Sequence, residues 1–190
     1  EKKEWVLGVP DEFFTEGLDK RIEARIRESF KKAESFGFRF ERVSLPHVSY
    51  GLAAYYIIMP AEVSSNLARF DGMRYGSRAD APTLFDVYRK GRARGFGPEV
   101  KRRIAVGTYV LSHGYYDAYY LQAQKVRTLI AEDFTQAFAK VDAIVAPTTP
   151  TLPFKFGEKT KDPLSMYLED IYTVPANLAG LPAISLPIGK

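Results

Sequence analysis

The sequence predicts an α/β fold. Three observations carry the prediction. The first 45 residues read strand, helix, strand, the unit that builds a parallel sheet. A second apolar strand-like run, residues 141–146, follows the longest helical stretch. Near the end, a broken helix over residues 162–180 feeds a last apolar run over residues 181–188.

Residues 5–9 (WVLGV) form a short apolar run closed by Pro10, which predicts a buried strand. Asp19 is placed to cap a helix in which Ile22, Ile26, Phe30 and Ala33 keep helical spacing, and Gly37 ends it. Residues 38–45 (FRFERVSL) alternate apolar and polar up to Pro46, a second strand. Residues 50–66 are rich in small and aromatic side chains, and Pro60 is expected to interrupt them. Residues 70–78 read as a loop with glycines at 72 and 76. Thr83 and Asp86 make a capping-box start to a helix running to about Lys90. Residues 91–97 hold three glycines and two arginines and read as a mobile connection. Pro98 suits the first position of a helix to about His113. The next helix, residues 117–140, puts Val126, Leu129, Ile130, Phe134, Ala137 and Phe138 on one face. The strand at 141–146 ends in the rigid loop Pro147-Thr148-Thr149-Pro150.

The closing stretch reads DPLSMYLEDIYTVPANLAGLPAISLP. Asp162 is a helix cap and Pro163 sits at the first helical position, where a missing N–H costs nothing. Leu164, Leu168 and Ile171 share an apolar face, and Asp170 lies beside it. Pro175 breaks the helix, and a second turn stops at Gly180. Residues 181–188 then read as a buried strand with proline near each end. A carboxylate at such a break can be aimed into a pocket; the plainer alternative is a capped helix with a solvated Asp170. Ligands of open α/β sheets bind beyond the carboxyl ends of strands, so the Thr148-Thr149 loop and the broken helix are expected to share a crevice.

Composition removes whole classes of chemistry. At 190 residues, 46% hydrophobic and 26% charged, the chain can bury a core and is not disordered. It has no cysteine, which excludes disulfides, thiol nucleophiles and cysteine metal sites. With only His47 and His113 there is no zinc cluster, and no metal site is expected. There is no G-x-S-x-G elbow, no Walker loop and no G-x-G-x-x-G after a strand. No apolar run approaches the ~20 residues of a membrane helix. The opening Glu1-Lys2-Lys3-Glu4 has no signal-peptide character, so a cytoplasmic protein is expected, with no membrane partner.

Two charges stand out. In a helix starting at Pro98, Val100, Arg103 and Ile104 share a face, so the Arg103 guanidinium points partly inward and suits a carboxylate. Arg103 and Asp170 are therefore the charges expected to be held inside. Arg89, Lys90, Arg92, Arg94, Lys101, Arg102 and Arg103 also form a basic run. It could meet phosphates, or simply be a solvated surface.

Three stretches carry a resemblance: MPAEVSSNLARFDGMRYGSR (residues 59–78), GFGPEVKRRIAVGTYVLSHGYYDAYYLQAQKVR (residues 95–127), and the closing stretch already quoted. Together with the opening GVPDEFFTEGLD they resemble the amidase signature family, and within it the A subunits of bacterial tRNA-dependent amidotransferases. His113 stands where a small residue is expected, and Trp5 is unusual in its strand. The resemblance implies an α/β fold, a mixed sheet flanked by helices on both faces. It makes residues 1–190 a single segment of an amidase domain, with the catalytic Gly/Ser-rich part and the last elements outside this chain. The family chemistry is Ser–cis-Ser–Lys amide hydrolysis. Neither the GGSSGGS-type segment nor its lysine is present, so no catalytic residue is expected in this chain, and this piece alone is expected to be inactive. Carried over onto matching positions, Arg103 is implied to hold the glutamine carboxylate and Asp170 its ammonium, with Tyr55 assisting. No cofactor is implied for this chain: ATP and Mg²⁺ fall on the B subunit of such a complex. Glutamine, the B and C subunits, and misacylated tRNA are the implied partners. The alternatives are a general amidase of the same family, or an RNA-binding or scaffold module built on the Arg89–Arg103 cluster.

Overall fold

The computed structural model describes residues 4–159 and 162–189. Residues 1–3, on which the reading of the chain's opening partly rests, lie outside them. In chain order the regular elements are β1 (Trp5–Pro10), α1 (Lys20–Glu34), β2 (Phe38–Val43), α2 (Gly51–Asn66), α3 (Leu84–Gly95), α4 (Pro98–Val110), α5 (Leu121–Phe138), β3 (Ala143–Ile144), α6 (Pro163–Tyr167) and α7 (Val174–Ala179). The described residues fall into two compact units. One comprises those up to Ala53 and from Lys125 on; the other is Ala54–Gln124.

The first unit is built on a parallel sheet of order β2-β1-β3. Trp5 stands opposite Phe38 and Pro10 opposite Val43, which makes β1, α1 and β2 the expected strand–helix–strand unit. Asp19 caps α1 by accepting the Arg21 N–H at 2.8 Å. Phe30 of α1 stacks on Phe40 of β2 at 4.4 Å, which seats the helix on that strand. On the other side, Leu7 and Gly8 pair with Ala143 and Ile144. β3 is two residues long, not six. The Val145 N–H still reaches the Gly8 carbonyl at 2.9 Å, but Pro147 has no N–H with which to continue the ladder. The Asp142 carboxylate extends the pairing the other way by accepting the Val6 N–H at 2.8 Å.

Residues 181–188, expected as a buried strand, form no strand. Ile184 is 81% exposed and Leu186 68%. A strand needs a neighbour to receive its ladder. No described strand lies alongside, and Pro182 and Pro187 remove two donors. The break before this segment is as expected. Asp162 accepts the Leu164 N–H at 3.0 Å, and α7 ends at Gly180, whose φ of 71° is a left-handed cap.

Asp133 is the buried charge of this unit, 5% exposed. It accepts the His47 backbone N–H at 2.8 Å and faces His47 Nδ1 at 2.9 Å. The 3₁₀ turn Pro46–Tyr50 after β2 is thereby tied to α5. His47 is thus structural. Asp133→Ala strands a partly buried N–H and a ring nitrogen, and is expected to cost ~1–3 kcal/mol, read as a lowered unfolding midpoint. Asp133→Asn, which keeps an acceptor for the N–H, should cost less.

The second unit holds most of α2 with α3 and α4. Pro60 does not interrupt α2, which runs through it. Its side chain is fully buried, and packing outweighs the ~3 kcal/mol penalty of a helical proline. Thr83 caps α3: its hydroxyl accepts the Asp86 N–H at 3.1 Å and donates to the Asp86 carboxylate at 2.9 Å. α3 also runs further than expected, to Gly95, so most of residues 91–97 are helix and not a mobile connection. The reason is polar. Arg92 donates to the carbonyls of Leu67 and Phe70 at 3.2 and 3.3 Å, and Lys101 Nζ donates to the Ala93 carbonyl at 2.6 Å. Lys101 thus satisfies an orphan carbonyl at the C-terminus of α3, while Arg92 ties the helix's last turns to the carbonyls that follow α2. Beyond α4 the tyrosine-rich segment Tyr116–Tyr120 makes a π-helical turn leading into α5.

Candidate functional site

In the second unit, Arg103 sits on the face of α4 that the spacing assigns to it. Its side chain is 26% exposed. Glu99, one turn earlier, accepts from Nε at 2.8 Å, and the guanidinium lies 5.5 Å from the centre of the Tyr56 ring. Met59 Sδ lies 3.5 Å from Nη1. Burial opposes the charge, yet the Glu99 hydrogen bond and the Tyr56 oxygen hold the arginine above its ordinary pKa. α2 and α4 thus present a fixed, half-buried cation. Tyr55 joins this group through Tyr56: the two rings meet edge-on at 5.2 Å.

The basic run is largely engaged. Arg89 pairs with Asp86, and Arg102 and Arg103 with Glu99. Arg92 and Lys101 donate to neutral carbonyls and keep their charge, so Asp86 and Glu99 offset only part of the run's positive field. The tyrosines after α4 contact one another, with Tyr115 stacked on Tyr119 and Tyr116 on Tyr120. Tyr109 and Tyr115 lie 4.2 Å apart, and a hydrogen bond between them pushes the Tyr109 phenol up to about 12.

Asp170 lies in the first unit, in the 3₁₀ turn Leu168–Asp170 that follows α6. The spacing predicts at least partial burial for it, and it is exposed. The helix narrows to a 3₁₀ turn after Tyr167, which rotates the later positions off the apolar stripe that α-helical spacing assigns. Leu164 and Leu168 of that stripe are themselves 63% and 44% exposed.

The residues flanking Asp170 are held firmly. Glu169 accepts the Thr151 hydroxyl at 2.9 and 3.0 Å and forms an ion pair with Lys159 Nζ. Tyr172 packs edge-on against Phe13 at 5.5 Å, and burial pushes its phenol up. Together these residues wall a cleft of about 610 Å³. Its polar rim is Glu12, Ser49, Thr151, Lys159 and Glu169, on an apolar body of Phe13, Val48, Leu168, Ile171 and Tyr172. The broken helix does wall a cleft, but Pro150 and Thr151 stand in its other wall, not Thr148 and Thr149, and Asp170 does not line it. Glu12 Oε1 accepts the Ser44 hydroxyl at 2.7 Å, while its buried Oε2 has no hydrogen-bond partner among the described residues.

The sequence reading did not reach Glu99, Glu169, Lys159 or Glu12. Glu99 was legible in principle, since glutamate four residues before arginine is a helical pair. The Lys159–Glu169 pair was not, because a loop joins its members. Among the described residues, no group of three His, Asp or Glu could hold a metal ion, and no helix is long and apolar enough to cross a membrane.

Known proteins resemble the whole chain. The Amidase family model matches residues 1–190. The chain is 62% identical over 184 residues to the A subunit of glutamyl-tRNA(Gln) amidotransferase of Myxococcus xanthus, covering 96% of this chain and 38% of that protein. The same subunit of Carboxydothermus hydrogenoformans is 59% identical over 184 residues, again with 96% and 38% covered. The chain thus spans 38% of the length of these relatives. Among solved structures, the A subunit of the Thermotoga maritima glutamyl-tRNA(Gln) amidotransferase superposes with a TM-score of 0.65 at 40% identity, covering 93% of this chain and 33% of that one. The crystal structure of an amidase superposes at 0.64 with 18% identity, covering 95% of this chain and 38% of that one, a likeness of fold. With one family model spanning every position and the α/β fold shared, this chain belongs to the amidase signature family.

Proposed function

We propose that this chain is the glutamine-recognising part of the glutaminase subunit of a tRNA-dependent amidotransferase, a cytoplasmic enzyme. One observation carries the reading: about 60% identity, over nearly all of the chain, to proteins named as that subunit. The half-buried Arg103, pinned by Glu99 and Tyr56, supports it. A fixed planar cation of this kind suits a carboxylate ligand.

In this reading Arg103 binds the α-carboxylate of glutamine, Asp170 its α-ammonium, and Tyr55 steadies the arginine's ring environment. The side-chain amide is attacked by a serine of a Ser–cis-Ser–Lys triad. An acyl-enzyme forms, ammonia leaves, and water releases glutamate. The B subunit then uses ATP and Mg²⁺ to activate the glutamate on misacylated tRNA, which the ammonia amidates; the C subunit completes the complex. None of the triad comes from this chain, whose role is to bind and orient.

The test is ammonia release. The complete assembly should release ammonia from glutamine, and the purified 190-residue chain should release none above a buffer blank. Ammonia from the chain alone would place a nucleophile within it and overturn the assignment. A complete enzyme that hydrolyses simple amides but not glutamine would favour a general amidase.

A further inference from the structure

We infer that Glu169, held by Lys159 and Thr151, is the positioning residue for Asp170. The inference rests on the proposed role of Asp170 in glutamine recognition.

The geometry points to it in three steps. First, the 3₁₀ turn Leu168–Asp170 is short, and it follows a helix of only five residues. Elements of this length have little stability of their own, so their conformation depends on side-chain anchors. Second, the anchors flank Asp170. Glu169 is 12% exposed on its side chain and Lys159 17%, so their ion pair is largely withdrawn from water. The Thr151 hydroxyl donates to both Glu169 oxygens, at 2.9 and 3.0 Å. On the other side, Tyr172 is 7% exposed and packs on Phe13. Third, the turn's own hydrogen bonds converge on Asp170. Its carbonyl accepts the Thr173 N–H at 3.1 Å and the Thr173 hydroxyl at 3.2 Å. The chain therefore goes inward at 169, outward at 170 and inward again at 172. Asp170 is the exposed carboxylate of the turn, and its neighbour Glu169 is the withdrawn one.

The chemistry of the anchor is suited to this. Breaking a withdrawn ion pair by removing one member leaves the other charge uncompensated, so the turn has a strong preference for its paired form. The ammonium of Lys159 also lies 4.7 Å from the centre of the Phe154 ring. The 150–159 loop is thereby fastened to the turn at Thr151 and at Lys159. Loosening either fastening lets Asp170 wander, and a misplacement of about 1 Å is enough to weaken a bound ligand markedly.

The experiment uses the complete enzyme and steady-state glutamine kinetics. Glu169→Gln and Lys159→Met are expected to raise KM for glutamine about tenfold or more, while kcat stays within about twofold because the reacting atoms are untouched. Lys159→Arg should restore most of the affinity, and Thr151→Val should give a smaller rise with unchanged folding. The decisive arm is the double variant. In an Asp170→Asn background, Glu169→Gln should add nothing further, because its effect runs through Asp170. Full additivity would overturn the inference, as would an unchanged KM in both Glu169→Gln and Thr151→Val. If Asp170→Asn raises KM and those two do not, the positioning role alone falls. If Asp170→Asn leaves KM unchanged, the recognition reading falls and this inference with it.

Discussion

Gly107→Ala is expected to prevent the second unit from folding. A methyl group built on Gly107 falls 1.8 Å from the Pro60 carbonyl oxygen, 2.4 Å from its carbon and 2.9 Å from the Ala61 nitrogen. These are backbone atoms of a continuous helix, not the movable end of a side chain, so relief requires α2 and α4 to move apart as bodies. Overpacking a core by a methylene costs ~1–3 kcal/mol when side chains yield. Here Pro60 and its neighbours Ala54, Ile58 and Ala61 are buried, and separation would open the contact along its length. The expected loss exceeds that range, enough to remove most of a domain's margin of ~5–15 kcal/mol. In the complete protein the measurement is the thermal midpoint and the soluble yield. Gly95→Ala is the control: a methyl there meets nothing within 4 Å, so the midpoint should stay or rise slightly. A Gly107→Ala protein that melts like the parent would refute the close approach of α2 and α4.

What the sequence shows well is whatever a few adjacent residues decide. Asp19, the Thr83–Asp86 box, Asp162-Pro163 and Gly180 each set a helix end through contacts within three or four positions, and each stands where expected. The strand–helix–strand opening was legible for the same reason, since its alternation and its caps are local. Three of the misreadings turn on distant partners. Pro60 stays helical because α4 packs over it at Gly107. Residues 91–95 stay helical because Arg92 finds carbonyls more than twenty positions earlier. Residues 181–188 lack a strand because nothing described pairs with them, although their apolar content alone suits one. The site divides along the same line. Arg103 is inward because Val100 and Ile104 flank it on one helical face, a local fact. The exposure of Asp170 follows from a change of helix type, and its anchors Thr151 and Lys159 come from a loop whose course no periodicity describes.

Arg103→Ala is expected to lower kcat/KM for glutamine strongly in the complete enzyme, and Asp170→Ala to lower it by less. A free amino acid offers a carboxylate and an ammonium, and truncating the protein partner of either leaves a ligand charge unpaired. Such a loss typically costs ~2–5 kcal/mol, or roughly 30- to 5,000-fold. Arg103 belongs toward the upper end because its guanidinium is half-buried and rigidly held, so water replaces it poorly. Asp170 belongs toward the lower end because it is exposed in this structure. Arg103→Lys should also be poor, since a point charge replaces neither the bidentate fork nor the contact with Tyr56. Removing Arg103 also takes one of its two arginine partners from Glu99, so a melting curve must accompany the kinetics to separate recognition from folding. The control needs a cation with no structural duty. Arg92 does not serve, because it holds the Leu67 and Phe70 carbonyls. Arg94 is exposed, and Arg94→Ala should leave glutamine hydrolysis unchanged. Any effect it has should appear in tRNA affinity and fade with added salt. Wild-type kinetics from a folded Arg103→Ala enzyme would show that the carboxylate of glutamine is bound elsewhere.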